Sequence, residues 1–263
     1  MIKGLCFTSD ERFHRMGQWC KSSFEATNPY EMILVDLEQS KQYDFYKWHH
    51  ETKEHPLRVG NPHGMMKFIA AREIMETQNL DRLIILGADV FTVGSFEGIE
   101  HMEYDVLHSL DLGRCAGLLL NPDVVVVTKS FVTKIVDLYL EQFEAVTLDP
   151  CIYEYQEMYM LNHLVNIGAV SHMSLAQAFG VSEYCFNMNV RTGVHFGYNQ
   201  QLQRVEYGGY PATTIHIQTG LGGCDTTTAK DKLFSCIRTA PAFSDQQVRD
   251  YLTKITGDTE IWN

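Results

Sequence analysis

The residues able to do chemistry sit where apolar runs stop. Residues 83–86 (LIIL) have the length and composition of a strand buried on both faces, and the run ends in Gly87-Ala88-Asp89. A carboxylate just past such a strand points into the crevice where open α/β sheets bind ligands, so Asp89 is placed to hold a metal ion or a substrate. The competing assignment is a turn in which the Asp only bonds backbone amides. His216 lies in TTIHIQTGLGG, ahead of Gly220, Gly222 and Gly223. An imidazole beside flexible glycines suits a metal ligand next to an anion-binding loop, or else a packed core histidine. The run at 2–7 empties into Thr8-Ser9-Asp10-Glu11-Arg12-Phe13. Small hydroxyl residues in a turn at a helix start are suited to an anion or a nucleotide, or Ser9 or Asp10 simply caps the helix. Glu157, in YEYQEMYMLNHLV, faces either the crevice or solvent. There is no G-x-G-x-x-G and no Walker A sequence, which disfavours a dinucleotide or P-loop site of the usual kind.

These residues need elements to carry them. Strands are expected at 2–7 and 32–36, and helices at 11–26 (Phe13, Met16, Trp19 or Cys20, and Phe24 at helical spacing) and 67–77. Segment 41–62 shows no period. Residues 117–127 read as a strand, or as a tight strand pair broken at Asn121-Pro122. Helices follow at 130–143, with Phe131, Ile135, Leu138 and Phe143 inward, and at 154–165. Ser244-Asp245-Gln246-Gln247 reads as a capping box opening a last helix to about residue 255. Alternating strands and helices predict an α/β fold with a mostly parallel central sheet flanked by helices.

Bulk properties narrow the function classes. The chain has 263 residues, 45% hydrophobic and 21% charged, as expected of a globular protein. A net charge of -12 argues against non-specific binding to nucleic acid or an anionic membrane, although local donors or a cation can still bring in a small anion. The seven cysteines (Cys6, Cys20, Cys115, Cys151, Cys185, Cys224, Cys236) include no C-x-x-C pair, which speaks against a zinc knuckle and for reduced, buried thiols. MIKGLCFTSDERF is too short and too polar for a signal peptide or anchor, and no run is long enough for a transmembrane segment. A cytoplasmic protein with one domain over 1–263 is expected, its nucleotide-binding half about 1–110 and its acceptor half about 111–263.

Taken in order, these features resemble the GT-A (Rossmann-like) glycosyltransferases, and most closely the retaining glycosyltransferase family 8 of glycogenin and the bacterial lipooligosaccharide galactosyltransferases. The resemblance covers residues 2–223. CFTSDERFHRMGQWCKSSFEATNP is similar to the family's opening strand and helix. There an acidic residue contacts uracil and an aromatic stacks on it, which implies Asp10 and Phe13, with backbone contacts at Thr8 and a polar base contact at Arg12. MMKFIAAREIM resembles the helix whose basic residue reaches the diphosphate or sugar, implying Lys67. GADV resembles the D-x-D motif with its first Asp replaced by Gly87, leaving Ala88 and Asp89 at the nucleotide and metal. Asn121 in LLLNPDVVVV corresponds to the Asn of an F-N-x-G-V strand that binds the sugar. Alignment on Leu161-Asn162 puts Glu157 at a sugar-binding Asp. Met158 then falls where a Gln lies near the anomeric carbon, with Gln156 close by. FNMN (186–189) resembles a sugar- or acceptor-side segment. His216 corresponds to a metal-binding His, with Gly220 in the same loop. The K-P-W ending of that loop is absent, and Lys230 or Lys232 is the candidate replacement cation.

The resemblance implies transfer of a hexose, glucose or galactose favoured, from a UDP-sugar to a carbohydrate acceptor hydroxyl with retention. It also implies Mn²⁺ or Mg²⁺ held by Asp89 and His216, a set one protein ligand short because of Gly87. No residue stands out as a general base, in keeping with a departing phosphate that takes the acceptor proton. Two alternatives belong to other classes. One is a non-catalytic sugar- or partner-binding relative with an eroded D-x-D. The other is a sugar-1-phosphate nucleotidyltransferase, disfavoured because TSDERF lacks a Gly-rich basic loop.

Overall fold

The computed structural model of the chain describes residues 1–8, 13–36, 63–110, 120–142, 156–186, 188–190, 194–217, 237 and 240–262. The apolar runs form a six-stranded sheet: β1 (Ile2–Phe7), β2 (Met32–Val35), β3 (Arg82–Leu86), β5 (Val106–Leu110), β6 (Leu120–Thr128) and β7 (His172–Ser174), in the order β2-β1-β3-β6-β5-β7. The pairings β1–β2, β1–β3 and β5–β7 are parallel, while β6 runs against both neighbours. The expected mostly parallel sheet is present, with one reversed strand inside it.

Alternation along the strands feeds two cores. Leu5, Leu83, Ile85, Val125 and Val127 pack against α2 (His63–Thr77), α3 (Lys129–Glu141) and α4 (Gln156–Asn166) through residues such as Phe68, Phe131 and Leu161. Cys6, Ile84, Leu86, Val124 and Val126 face the other way, onto Cys20 and Phe24 of α1 (His14–Thr27) and Leu175 of α5 (Leu175–Phe179). Full burial of each such side chain contributes about 1.5–3 kcal/mol. The described helix α1 begins at His14, with Phe13 at its cap position and no side-chain cap bond, and the expected start at residue 11 lies outside the described residues.

One sequence expectation, the cap of the last helix, needs correction here, and two others are resolved. Residues 120–128 form one strand and not a tight pair. Pro122 is accommodated because the β5–β6 register jumps: Ser109 faces Asn121 while His108 faces Val125. An irregularity is where a strand interior tolerates proline, and it re-aims the residues beside it. The last helix, α6 (Gln246–Thr256), is capped by Asp245 accepting from the Gln247 N–H, one residue after the expected Ser244. In α3 the inward face is Phe131, Val132, Ile135, Val136 and Tyr139, with Leu138 at its margin. Segment 41–62 and Phe143 lie outside the described residues.

A second, three-stranded sheet joins β4 (Val90–Thr92), β12 (Thr214–His216) and β8 (Met188–Asn189). A third is built from β9 (Phe196–Asn199), β10 (Arg204–Tyr207) and β11 (Tyr210–Pro211). Arg15 and the Trp19 Nε1–H both donate to Asp258, tying α1 to the turn after α6. Among the described residues no helix is long and apolar enough to cross a membrane, and Cys6, Cys20 and Cys185 are buried free thiols.

One polar pair within the main sheet makes stability depend on pH. His108 on β5 is buried, with Nε2 3.2 Å from His172 Nδ1 on β7. Burial, and then the neighbouring His172, lowers its pKa from 6.5 to about 4. The unfolded chain therefore binds this proton more readily, and stability is lost as pH falls from 6.5 toward 4. A gap of that size is worth up to about 3 kcal/mol. His108→Leu is expected to flatten the unfolding free energy over that interval, as read from denaturant melts. An unchanged acid slope would show that His108 is not its source.

Candidate active site

β1 and β3 end side by side, and their carboxyl ends open into a cleft. Phe7 and Thr8 enter it from β1, Leu86, Gly87, Ala88 and Asp89 from β3, and Asp123 from the irregular stretch of β6. Gly64 and Lys67, one helical turn apart near the start of α2, line its wall together with Glu157 from the first turn of α4 and Phe13 ahead of α1. The positive ends of α2 and α4 thus lie beside the cleft, which favours anions there.

His216 arrives from far downstream by strand pairing. β12 lies antiparallel to β4, which follows Asp89 directly, with His216 opposite Val90. The Ile217 N–H donates to the Asp89 carbonyl at 2.9 Å, locking that register. His216 Nε2 then lies 3.2 Å from Asp89 Oδ1 and 3.8 Å from Asp123 Oδ2. Lys67 Nζ donates to Asp123 Oδ1 at 2.8 Å. Burial pulls the Lys67 pKa down, but Asp123, Glu157 and Asp89 outweigh it and hold the ammonium above the ordinary lysine value. Glu157 folds its carboxylate over Gly64, into the space that a Cβ there would occupy. Glycine at this point leaves room for that carboxylate beside Lys67.

The other expected site residues take distinct positions. Thr8 lines the cleft floor, its backbone N–H donating to Val35 O at 2.8 Å. Asn121 is not among the lining residues. It is buried, and its Oδ1 accepts from the Asp123 N–H at 2.7 Å, so it shapes the turn that presents Asp123. Met158 is buried on α4. Asp10, Arg12, Gly220, Lys230 and Lys232 lie outside the described residues.

Asp123 was missed by sequence reasoning, although a signal existed. Aligned on Asn121, the F-N-x-G-V pattern has glycine where this chain has Asp123, and the D-x-D pattern has aspartate where it has Gly87. The two residue types have changed places.

The divalent cation implied by the resemblance can be tested against the donors present. Among the described residues no three His, Cys, Asp or Glu side chains already converge as a metal shell. The donor chemistry nevertheless suits a hard divalent ion. Two carboxylates and an imidazole stand 3.2 and 3.8 Å apart, while neighbouring ligands of an octahedral ion are about 3 Å apart. The spacing at Gly87 leaves room for a carboxylate from outside β3. The residues fit the ion in donor type, with Lys67 now satisfying part of Asp123.

No protein-family model matches the sequence, and no curated protein matches it. Several solved structures of glycosyltransferases are similar in chain path. One is the galactosyltransferase LgtC in complex with donor and acceptor sugar analogues, 14% identical over 98% of this chain and 95% of that one, TM-score 0.49. Another is a glycosyltransferase involved in glycosylation of the major capsid of PBCV-1, 10% identical over 90% of this chain and 98% of that one, TM-score 0.49. A third is mouse xyloside xylosyltransferase 1 in its apo form, 13% identical over 86% of this chain and 99% of that one, TM-score 0.40. At these identities and scores the chemistry of the cleft is read from its own side chains.

Proposed function

We propose that this chain is a glycosyltransferase that moves a hexose, glucose or galactose, from a UDP-sugar to a carbohydrate hydroxyl with retention of configuration. The observation that supports this best is the convergence of Lys67, Asp89, Asp123 and Glu157 in one cleft at the ends of β1 and β3, beside the ring of Phe13.

The reaction breaks the bond from the sugar C1 to the β-phosphate oxygen, the electron pair leaving with UDP. The acceptor oxygen bonds C1 from the same face, and its proton passes to the departing phosphate. Oxocarbenium-like positive charge grows at C1 while negative charge grows on the diphosphate. Lys67 supplies an ammonium for the diphosphate side. Glu157, whose carboxylate lies over Gly64 in the same cleft, faces the sugar and stabilises the positive carbon. Phe13 takes the uracil on its ring. A divalent cation held by Asp89 and His216 would neutralise charge on the leaving diphosphate. Pre-orientation of donor and acceptor in near-attack geometry supplies the remaining acceleration.

The test is a panel of nucleotide-sugars scored by thermal shift and by slow hydrolysis without acceptor, with and without Mn²⁺. UDP-glucose or UDP-galactose should raise the melting temperature and be hydrolysed. Stabilisation without turnover would instead identify a sugar-binding protein, and no response to any donor would reject the assignment. In the same assay Phe13→Ala should weaken UDP binding by about 1–3 kcal/mol if the ring stacks on the base.

A further inference from the structure

Positions 87 and 123 face each other at the end of the β3–β6 pairing. The Gly87 N–H donates to the Asp123 carbonyl at 2.8 Å. A Cβ on residue 87 would lie 3.3 Å from Asp123 Cβ and 3.1 Å from Asp89 Oδ1. A side chain at residue 87 would therefore crowd both Asp89 and Asp123, which would have to shift by a few tenths of an ångström. Pro122 and the register jump in β6 turn Asp123 toward Gly87, and Asn121 fixes it through the backbone N–H.

We propose that Asp123 is the third protein ligand of a divalent-cation site completed by Asp89 and His216, the carboxylate missing from β3 having moved to β6. Oδ2 of Asp123 lies 3.8 Å from the same imidazole nitrogen that Asp89 Oδ1 approaches to 3.2 Å, so both carboxylates reach one side of His216. Oδ1 meanwhile holds Lys67, which sets the carboxylate plane. Charge points the same way. Among the described residues the cleft lining carries three carboxylates, Asp89, Asp123 and Glu157, against one ammonium, Lys67. Against these three carboxylates stand Lys67 and the two helix N-termini, and a divalent cation would tip the balance toward a diphosphate. The idea rests on reading the cleft as a nucleotide-sugar site, since the diphosphate would complete the ligand shell. It also changes the expectation from Gly87: the protein supplies three ligands and not two.

The experiment measures Mn²⁺ binding directly, by the electron paramagnetic resonance of free Mn²⁺ and by calorimetry, with and without UDP. The proteins are wild type, Asp123→Asn, Asp123→Gly and the exchange Gly87→Asp/Asp123→Gly, each checked for a melting temperature close to wild type. Asp123→Asn should weaken Mn²⁺ binding about tenfold or more, because affinity at such sites follows ligand charge. The exchange, which removes the tight contact while returning a carboxylate to β3, should recover most of the affinity lost in Asp123→Gly. Wild-type affinity in Asp123→Asn overturns the proposal, as does a folded exchange variant no better than Asp123→Gly, or a wild type that takes up no Mn²⁺ in either condition. The functional assignment fails separately. An intact Mn²⁺ pattern without hydrolysis of any UDP-sugar sinks the transferase and leaves the cation site standing, whereas UDP-sugar turnover with an indifferent Asp123→Asn sinks the cation site alone.

Discussion

Asp89→Asn is expected to lower UDP-sugar turnover by about 10²–10³-fold, the loss seen when one preorganised electrostatic group is removed from a transition state. The fold should not suffer. Asparagine keeps the shape of the side chain and an oxygen that accepts from His216 Nε2, now 3.2 Å from Asp89 Oδ1. The backbone bond from the Ile217 N–H to the residue 89 carbonyl is untouched, so β12 stays in register. Only the negative charge goes, and with it the hold on a cation beside the leaving diphosphate. Release of UDP from UDP-glucose or UDP-galactose gives the rate, and a thermal melt gives the stability. Wild-type turnover in a folded variant would remove Asp89 from the mechanism. A collapse of the melting temperature would make Asp89 a structural turn residue, the alternative its position after β3 allows.

The parts of this site that could be read from sequence are those where local pattern and topology coincide. A strand ending in a carboxylate is visible in LIILGAD because burial on both faces demands an unbroken apolar run. Lys67 was legible as the basic residue near a helix start, and it lines the cleft. What stayed hidden was long-range. Strand β5 reads as VLHSL, with a buried histidine and serine that break the apolar signal. The reversal of β6 leaves no trace in its own composition, since valines pack equally well in either direction. The three-residue strands β4 and β12 are too short for a period, yet their pairing is what carries His216 to Asp89. Asp123 sat in plain view, but an aspartate after proline reads as a turn. Its significance depends on the register jump that aims it across at Gly87.

The same dependence of one charge on its neighbours sets the expected behaviour of Lys67→Met. Methionine keeps the unbranched bulk that α2 presents at this nearly buried position, where the side chain is 8% exposed. The ammonium is lost, and Asp89, Asp123 and Glu157 face one another with no cation among the described lining residues. Breaking a buried pair costs about 3–5 kcal/mol, but Asp123 is partly solvated, so about 1–3 kcal/mol of stability should go. A lost charge-assisted contact to the diphosphate should cut donor affinity by about 1.5–3 kcal/mol as well. The stability effect has a pH signature. Burial lowers the Lys67 pKa, the three carboxylates raise it by more, and the folded value ends above the ordinary 10.5. The stabilisation from its charge is therefore complete below 10.5 and fades as pH climbs through the raised folded value. Denaturant melts should show a constant gap between wild type and variant from neutral pH to about pH 9, closing in stronger alkali. Acid strong enough to protonate the carboxylates should close the gap too, because the attraction needs both charges, whereas a gap that stays open in strong alkali would remove Lys67 as the counter-charge of the cleft.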